Sequence, residues 1–278
     1  AGIDCFVLVP EGKITMVQLV GALLHGATVI SVPGSFDDCM RIMRELVRHY
    51  NVYPANSLNP VRIEGHQVTV FRTLHYFGWQ EVPTVFALPV GNGSNVSSIH
   101  KGLRTLQEVG WPGLVPRILG CQSEAANPLS ASWEHMVTDQ VVTIEEWRDR
   151  YKPIPVGETN ATAARIGDPV SREKVMRAIL QTNGSMVTVP EDELNQAVLE
   201  AGRDGFNVCP QTGTAIAGVR RAIMRGDIDP NEAVMVVSTA TGHKFPEGPM
   251  RILENSIKKM AMIDTEEVAK VLGLVPVA

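Results

Sequence analysis

Short apolar, β-branched runs alternate with amphipathic helical stretches along nearly the whole chain of 278 residues. Cys5–Val9 is the first such run, and apolar residues recur at helical spacing over the segment Lys13–His25 that follows it. Thr28–Val32 begins a second unit, in which Ser35 is placed to cap the next helix. Repeated strand–helix units of this kind bring their strands side by side in parallel. The sequence therefore predicts an α/β fold with parallel or mostly parallel sheets.

The composition is that of a globular protein, with 44% hydrophobic and 20% charged residues, and it excludes a disordered or coiled-coil chain. The 30 acidic residues outnumber the 25 basic ones, so the net charge of -5 does not favour nucleic acid or an anionic membrane. The longest apolar runs are too short to cross a bilayer. We therefore expect small-molecule partners, no nucleic acid and no membrane.

The four cysteines form no C-x-x-C pair, and the seven histidines form no H-E-x-x-H motif. Disulfide frameworks and zinc sites depend on regular spacings of this kind. We therefore predict reduced thiols at Cys5, Cys39, Cys121 and Cys209, no metal site, and a cytoplasmic location.

A polar, turn-rich stretch at residues 51–62 separates the first two strand–helix units from the rest of the chain. Such a stretch is typical of a connection between two lobes. We therefore place a domain boundary there, which divides the chain into residues 1–54 and residues 55–278.

Apolar spacing, capping residues and charge predict further elements of structure within residues 55–278. Apolar spacing predicts one helix over residues 62–77, and the capping-box spacing from Thr188 predicts a helix that begins near Glu191. The charged residues 145–160 are predicted to form a surface segment, and Phe206–Cys209 to form a strand.

A glycine-rich turn, Gly91-Asn-Gly-Ser-Asn95, lies between the apolar run Thr84–Val90 and a helical stretch. Backbone N–H groups at such a turn, together with the positive end of a helix dipole, form a site for a phosphate. A tight turn that needs glycine only for its backbone conformation is the alternative interpretation. No Lys-Ser/Thr pair follows, and Val96 replaces the third glycine of the dinucleotide motif, which disfavours a P-loop and a nucleotide-binding dehydrogenase.

Two further polar segments are candidate ligand sites. The loop Ser238–Phe245 follows the apolar run Ala233–Val237, and loops after parallel strands meet at one edge of a sheet. Hydroxyl residues at such positions also cap helices, which is the alternative. A second group of amide, hydroxyl and guanidinium side chains suits a phosphate, although ordinary turns have similar compositions; it consists of Asn56, Ser57, Asn59 and Arg62.

Eight segments spread over almost the whole chain occur in the order of one family's motifs: Val9-Pro-Glu-Gly-Lys13, Leu24-His-Gly-Ala27, Ser35-Phe-Asp-Asp38, Asn56-Ser-Leu-Asn-Pro-Val-Arg-Ile-Glu-Gly65, Leu88-Pro-Val-Gly-Asn-Gly-Ser-Asn95, Ala163-Ala-Arg-Ile-Gly-Asp-Pro-Val-Ser171, Cys209-Pro-Gln-Thr-Gly213 and Ser238-Thr-Ala-Thr-Gly-His243. Together they resemble the threonine synthases, which are fold type II pyridoxal-phosphate enzymes.

The resemblance implies a two-lobed architecture, pyridoxal 5'-phosphate as cofactor, and conversion of O-phosphohomoserine and water into threonine and phosphate. It places residues 1–54 in a smaller mobile domain and residues 55–278 in a larger cofactor-binding domain, with a homodimer among the assemblies to be tested. The cofactor phosphate would be held by Gly91, Asn92, Gly93, Ser94 and Asn95. The pyridine nitrogen would face Thr241. The substrate phosphate would be received by Asn56, Ser57 and Arg62.

Two features depart from the family's pattern, the first being Ser94, which stands where the family usually has a glycine. The second is the absence of two motifs: Phe-Lys-Asp, whose lysine holds the cofactor as a Schiff base, and Ser-Thr-Gly-Asn-Thr, which binds the substrate carboxylate. Both precede the position of Ala1 in the family, so we expect an N-terminally truncated chain that is inactive alone. Lys13, Lys101 and Lys244 match other positions, and we assign no catalytic residue.

Two alternatives stay open. A non-catalytic relative would bind a phosphorylated metabolite or a protein partner through the retained loops. A related replacement enzyme, such as a cysteate synthase, would act on another substrate, because substrate choice rests partly on the absent loop. In a plant, the plastid stroma would replace the cytoplasm as the location.

Overall fold

The computed structural model describes residues 2–12, 14, 16–57, 59–80, 82–140, 143–257 and 265–274. Its two sheets contain two and four strands, all paired in parallel, which confirms the predicted α/β class. The strands are β1 (Phe6–Pro10), β2 (Thr28–Val32), β3 (Val85–Pro89), β4 (Arg117–Ser123), β5 (Ser185–Val189) and β6 (Val234–Val236). The helices are α1 (Met16–Leu24), α2 (Phe36–His49), α3 (Pro60–His66), α4 (Val68–Tyr76), α5 (Ser94–Glu108), α6 (Pro128–Thr138), α7 (Ile144–Arg150), α8 (Arg172–Gln181), α9 (Glu191–Arg203), α10 (Pro210–Met224), α11 (Glu247–Leu253) and α12 (Thr265–Leu272).

The smaller sheet joins β1 to β2 through α1, with Phe6 opposite Thr28. α2 follows β2 and packs against β1. Ser35 caps α2 as predicted, because its Oγ accepts a hydrogen bond from Asp38 N at 3.2 Å. Asp38 Oδ2 in turn accepts from Ser35 N at 2.8 Å. This reciprocal pair satisfies backbone donors at the start of the helix and fixes where α2 begins.

The larger sheet has the strand order β5-β4-β3-β6, and every residue of β3 is buried. Phe86 and Leu88 pack into a core with side chains of α4, α5 and α8. Val85 and Ala87 pack on the opposite face, with side chains of α9 and α10. A strand that is covered on both faces has a continuous apolar sequence, which explains why β3 shows no alternation of apolar and polar residues.

The helix predicted over residues 62–77 is wrong in detail, because α3 and α4 share this stretch and meet at Gln67. The amide of Val70 donates to the carbonyl oxygen of Gln67, three residues earlier, at 3.0 Å, which tightens the backbone there. Asn59 begins α3 by accepting a hydrogen bond from Val61 N at 2.9 Å.

The segment predicted to lie on the surface at residues 145–160 is mostly exposed, but the prediction missed that it begins within the helix α7. Trp147 is buried in the core of the larger sheet, and its Nε1 donates to Ser132 Oγ at 2.6 Å. Most residues of this short helix are charged, so composition alone does not indicate that one of its faces is buried.

α9 begins at Glu191 as predicted, but two other predictions between β5 and α10 are wrong. Thr188 does not cap α9; it lies within β5, its Oγ1 is 2.8 Å from Ser130 Oγ, and Pro190 precedes the helix instead. Phe206–Cys209 does not join a sheet and makes one antiparallel bridge, between Val208 and Thr241. The reason is length, because this connection is only a few residues long before Pro210 begins α10.

The cysteines Cys39, Cys121 and Cys209 are buried free thiols, and Cys5 is an exposed free thiol. Burial raises the pKa of the Cys121 thiol, which keeps it protonated at neutral pH. Among the described residues, no helix combines the length and apolar character that crossing a bilayer requires.

Candidate ligand cleft

A cleft of about 310 Å³ opens at the carboxyl edge of the larger sheet. Its lining includes Pro89 at the end of β3, the whole turn Gly91–Asn95, and Thr239 and Ala240 after β6. The loops after β3 and β6 therefore meet at one edge, as the sequence predicts, because β3 and β6 are parallel neighbours. We call this space the ligand cleft.

Gly93 fixes the shape of the glycine-rich turn. It has a φ of 85°, a conformation that favours glycine, and it is the residue immediately before α5. A Cβ atom at Gly93 would collide with the side chain of Val175, so the turn also lies against α8. Ser97 N donates to the carbonyl oxygen of Gly93 at 3.0 Å. The turn therefore needs glycine for its conformation and presents the N-terminus of α5 to the ligand cleft.

Asn92 is buried and anchors the turn to the segment that forms the opposite wall. Its Oδ1 accepts a hydrogen bond from Val170 N at 3.2 Å, and its carbonyl oxygen accepts one from Ser171 N at 3.0 Å. Gly91 lies close to the same segment, because a Cβ there would stand 3.2 Å from Ala164 Cα. The motif Ala163–Ser171 was recognised in the sequence. Its place in the wall of the cleft was not, because no side chain in it pointed to a ligand site.

Ser94, which departs from the family's glycine, is buried at the first position of α5 and lines the ligand cleft. Its carbonyl oxygen accepts from Ser98 Oγ at 2.7 Å, within the helix. The backbone of the turn is thus compatible with serine at this position.

Ser57 and Arg62 line the ligand cleft together with the glycine-rich turn. Arg62 Nη1 donates to Ser57 Oγ at 3.2 Å, so the hydroxyl and the guanidinium form one polar group. Asn56 does not line the cleft, and its Nδ2 lies 3.0 Å from the sulfur of Met40 on α2. The structure therefore brings two of the three predicted substrate residues into the same cleft as the glycine-rich turn.

Thr241 does not line the ligand cleft, although the adjacent Ala240 and Thr239 do. Its Oγ1 lies 3.0 Å from His243 Nδ1 and begins a short helical turn there. The role of Thr241 at the pyridine nitrogen stays a prediction.

The first turn of α10 supplies a part of the cleft that sequence reasoning missed, namely Gln211. Thr212 ties this turn to the loop after β6, because its Oγ1 accepts from Thr239 N at 3.2 Å. Two helix N-termini, of α5 and α10, therefore border one space, and such termini attract anions. The motif Cys209–Gly213 marked this stretch in the sequence without indicating which side chain faces a ligand.

A pair of carboxylates stands behind the wall of the cleft and links α2 to it. Burial, followed by the nearby charge of Asp168, raises the pKa of Asp37, which also accepts a hydrogen bond from the amide of Gly167. Asp168 is held by Arg172 Nη1 at 2.8 Å and by Tyr151 Oη at 3.3 Å. Through Gly167 and Asp168, the start of α2 lies against the segment that forms the wall of the cleft, and Phe36 lines the cleft there.

Residues 1–240 match a protein family described as pyridoxal-phosphate dependent enzyme. Threonine synthase 2, chloroplastic, of Arabidopsis thaliana is 34% identical over 94% of this chain and 48% of its own length. Threonine synthase of Mycobacterium leprae is 34% identical over 99% of this chain and 71% of its own length. The chain thus spans about half the length of the plant relative.

The crystal structure of threonine synthase from Escherichia coli has the same fold, with a TM-score of 0.67 and 19% identity over 93% of this chain and 58% of that one.

The ligand cleft fits the family's cofactor, pyridoxal phosphate. A phosphate needs several converging donors, and the turn Gly91–Asn95 presents backbone amides at a helix N-terminus, with no room for a side chain at Gly93. The sequence match, the fold and this geometry agree: the chain belongs to the pyridoxal-phosphate dependent enzymes and, among them, to the threonine synthase family of fold type II.

Proposed function

We propose that this chain forms the cofactor-binding part of a threonine synthase, which converts O-phosphohomoserine and water into threonine and phosphate. One observation carries the proposal: the turn Gly91–Asn95 and the pair Ser57 and Arg62 line the same cleft. A phosphorylated cofactor and a phosphorylated substrate require two separate phosphate sites close together, and these two groups supply donors for both.

Each group has a distinct task in this proposal. Pyridoxal phosphate, when bound, supplies a conjugated ring that accepts carbanion charge. The backbone amides of Gly91–Asn95 hold the cofactor phosphate at the start of α5, and Asn92 keeps the turn in place through Val170. Arg62 binds and orients the substrate phosphate with two parallel N–H donors, a geometry that guanidinium offers to phosphate, and Ser57 adds a hydroxyl. Thr241 is assigned the pyridine nitrogen by resemblance.

We infer that residues 1–278 alone hold the cofactor without a covalent bond. In the part of the chain that the structure describes, no lysine lines the ligand cleft. Lys101 pairs with Glu64 on another surface, Lys244 is not among the lining residues, and Lys13 lies outside the described residues. The same observation favours the second candidate function, a non-catalytic relative that binds a phosphorylated metabolite.

Titration of the chain with pyridoxal phosphate, followed by absorbance and fluorescence, tests the site. We expect saturable binding that dialysis reverses, no cofactor attached after borohydride reduction, and no phosphate release from phosphohomoserine. Absence of binding would contradict the proposed cofactor site. A cofactor fixed by borohydride, or turnover by the chain alone, would contradict the non-covalent assignment.

Binding of phosphohomoserine tests the substrate half of the proposal. Arg62→Ala removes charge-assisted hydrogen bonds, so we expect its affinity for phosphohomoserine to fall about tenfold or more. Arg72→Ala, at an exposed arginine on α4 outside the cleft, is the matched control and should bind like the wild type. Equal affinities in the two variants would contradict the role of Arg62.

Substrate choice separates threonine synthesis from a related replacement reaction such as cysteate synthesis. The chain would be mixed with a segment of a threonine synthase that carries the lysine motif, and phosphate release from phosphohomoserine would be compared with release from phosphoserine. Faster release from phosphohomoserine supports the proposal, and the reverse order contradicts it.

The proposal also includes a reducing compartment, the cytoplasm or a plastid stroma, which suits the buried free thiols Cys39, Cys121 and Cys209. A homodimer stays a prediction that light scattering of the purified chain can test.

A further inference from the structure

Gln211 is buried, with 5% of its surface exposed, yet within the described structure neither its Nε2 nor its Oε1 has a hydrogen-bond partner. It lines the ligand cleft on the first turn of α10. A buried amide without partners destabilises a folded chain, so such groups are rare and call for an explanation. The position of this amide suggests one, because the cleft is where a ligand would lie.

The other polar groups nearby are satisfied within the fold. On the same helical turn, Thr212 Oγ1 accepts from Thr239 N at 3.2 Å, and Thr214 Oγ1 donates to the carbonyl oxygen of Pro210 at 3.2 Å. The fold therefore provides partners for the two hydroxyls that follow Gln211 in this turn but none for the carboxamide itself.

A second buried glutamine shows how the same side chain behaves when its role is structural. Gln122 donates to the carbonyl oxygen of Val90 at 3.2 Å, and its Oε1 accepts from the amides of Leu129 and Ser130, both at 2.9 Å. All of its bonds stay inside the protein. The contrast places the missing partners of Gln211 in the ligand cleft.

The ligand must both accept and donate hydrogen bonds, because a carboxamide offers two N–H donors and one oxygen acceptor. It must also suit the N-termini of α5 and α10, which favour an anion. A phosphorylated molecule that also carries a hydroxyl group meets both requirements, and pyridoxal phosphate is such a molecule.

We propose that the carboxamide of Gln211 is a further ligand-binding group of this cleft, which hydrogen-bonds bound pyridoxal phosphate. The inference rests on the proposed function, since it requires that cofactor in the same cleft. This assignment then accounts for both observations: the carboxamide has no partner among the described residues, and it lines the same cleft as the glycine-rich turn.

The test is Gln211→Met, which keeps the side chain's length and removes both polar atoms. We expect the dissociation constant for pyridoxal phosphate to rise about tenfold, as loss of a hydrogen bond to a charged ligand would produce. The melting temperature without ligand should stay equal or rise, because an unsatisfied buried amide is removed. Gln122→Met is the matched control for stability and should melt at a lower temperature, because it loses three internal bonds.

A second variant, Gln211→Glu, preserves the shape and places a carboxylate beside the cofactor, so it should weaken binding more than Gln211→Met does, and less so at high salt. A Gln211→Met variant with a lower melting temperature and an affinity within twofold of the wild type would overturn the inference while the proposed function stands. Failure of the wild-type chain itself to bind pyridoxal phosphate would overturn both.

Discussion

The two sheets of this protein have the same strand–helix pattern but differ in how much of it is buried. In the smaller sheet, Phe6 on β1 is 57% exposed and Ile30 on β2 is 45% exposed. In the larger sheet, all five residues of β3 are buried. Hydrophobic patterning therefore sets the local structure in both sheets, whereas burial depends on which helices cover each face.

This difference also determines which parts of the chain line the ligand cleft. The larger sheet and its loops supply the glycine-rich turn, the wall at Ala163–Ile166 and the first turn of α10, all fixed by a core covered on two faces. The part of the chain around the smaller sheet supplies Phe36 to the ligand cleft. The geometry of the glycine-rich turn is therefore set by the larger sheet, whereas α2 contributes the side chain of Phe36 to the lining.

The largest expected effect is on core stability. Phe86→Ala, at the second residue of β3, should lower the free energy of unfolding by about 3–5 kcal/mol, since it leaves a cavity in the core formed with α4, α5 and α8. Phe6→Ala, at the first residue of β1, should cost less than about 1 kcal/mol because the residue is already 57% exposed. Urea denaturation measures both. If Phe86→Ala does not fold, Phe86→Leu gives a smaller loss that is still larger than that of Phe6→Ala; equal losses would contradict the comparison.

Gly93→Ala should have the next largest effect, about 2–3 kcal/mol, because alanine at a φ of 85° is strained and its Cβ meets Val175. Gly226→Ala is the matched control, since Gly226 has a φ of 78° and no atom within 4 Å of the added Cβ, so it should cost only about 1 kcal/mol. Thermal melts compare the two. Gly93→Ala should also weaken pyridoxal phosphate binding, and unaltered binding would argue against the turn as the phosphate site.

An ion pair at the amino edge of the larger sheet should contribute about 2 kcal/mol. Arg117 Nη2 lies 2.6 Å from both carboxylate oxygens of Glu232, and this bond, with that from the amide of Asp229, lowers the pKa of Glu232 to about 2. The stabilisation is complete above the ordinary pKa of about 4.5 and is lost as the pH falls towards 2. The free energy of unfolding of Glu232→Gln should therefore approach that of the wild type as the pH falls from about 4.5 to about 2.

The smallest effect is expected for the equivalent change in the part of the chain around the smaller sheet. Glu45 on α2 pairs with Arg48 at 2.9 Å, but its side chain is 49% exposed, against 23% for Glu232. Glu45→Gln should change the free energy of unfolding by less than about 0.5 kcal/mol. If Glu45→Gln lowered the free energy of unfolding as much as Glu232→Gln does, exposure would not determine how much these ion pairs stabilise the fold.

Features set by a few neighbouring residues could be predicted from the sequence. The strands β1, β2, β3 and β6, the cap at Ser35 and the glycine-rich turn before α5 all depend on local chemistry, and the structure contains them. Features set by distant residues could not. Trp147 is buried because α7 packs with α8, and Thr188 contacts Ser130 instead of capping a helix. Neither contact can be predicted from the residues that are adjacent in the sequence.

The same limit applies to the site. Polar loops after strands predicted where a ligand would bind, but Gln211 and the wall at Ala163–Ile166 reach the ligand cleft only through packing of whole elements. The Ser57–Arg62 pair lies in the cleft, whereas Asn56 turns towards Met40, a difference that three nearly adjacent residues cannot reveal in sequence alone.

Hydrogen–deuterium exchange of the chain with and without pyridoxal phosphate tests the central claim most directly. The claim is that the turn at the edge of the larger sheet binds the cofactor. We predict that the cofactor slows exchange at the amides of residues 91–97 and 211–213, while β1 and β2 exchange at unchanged rates. Protection confined to β1 and β2, or absent from residues 91–97 at saturating cofactor, would contradict the account.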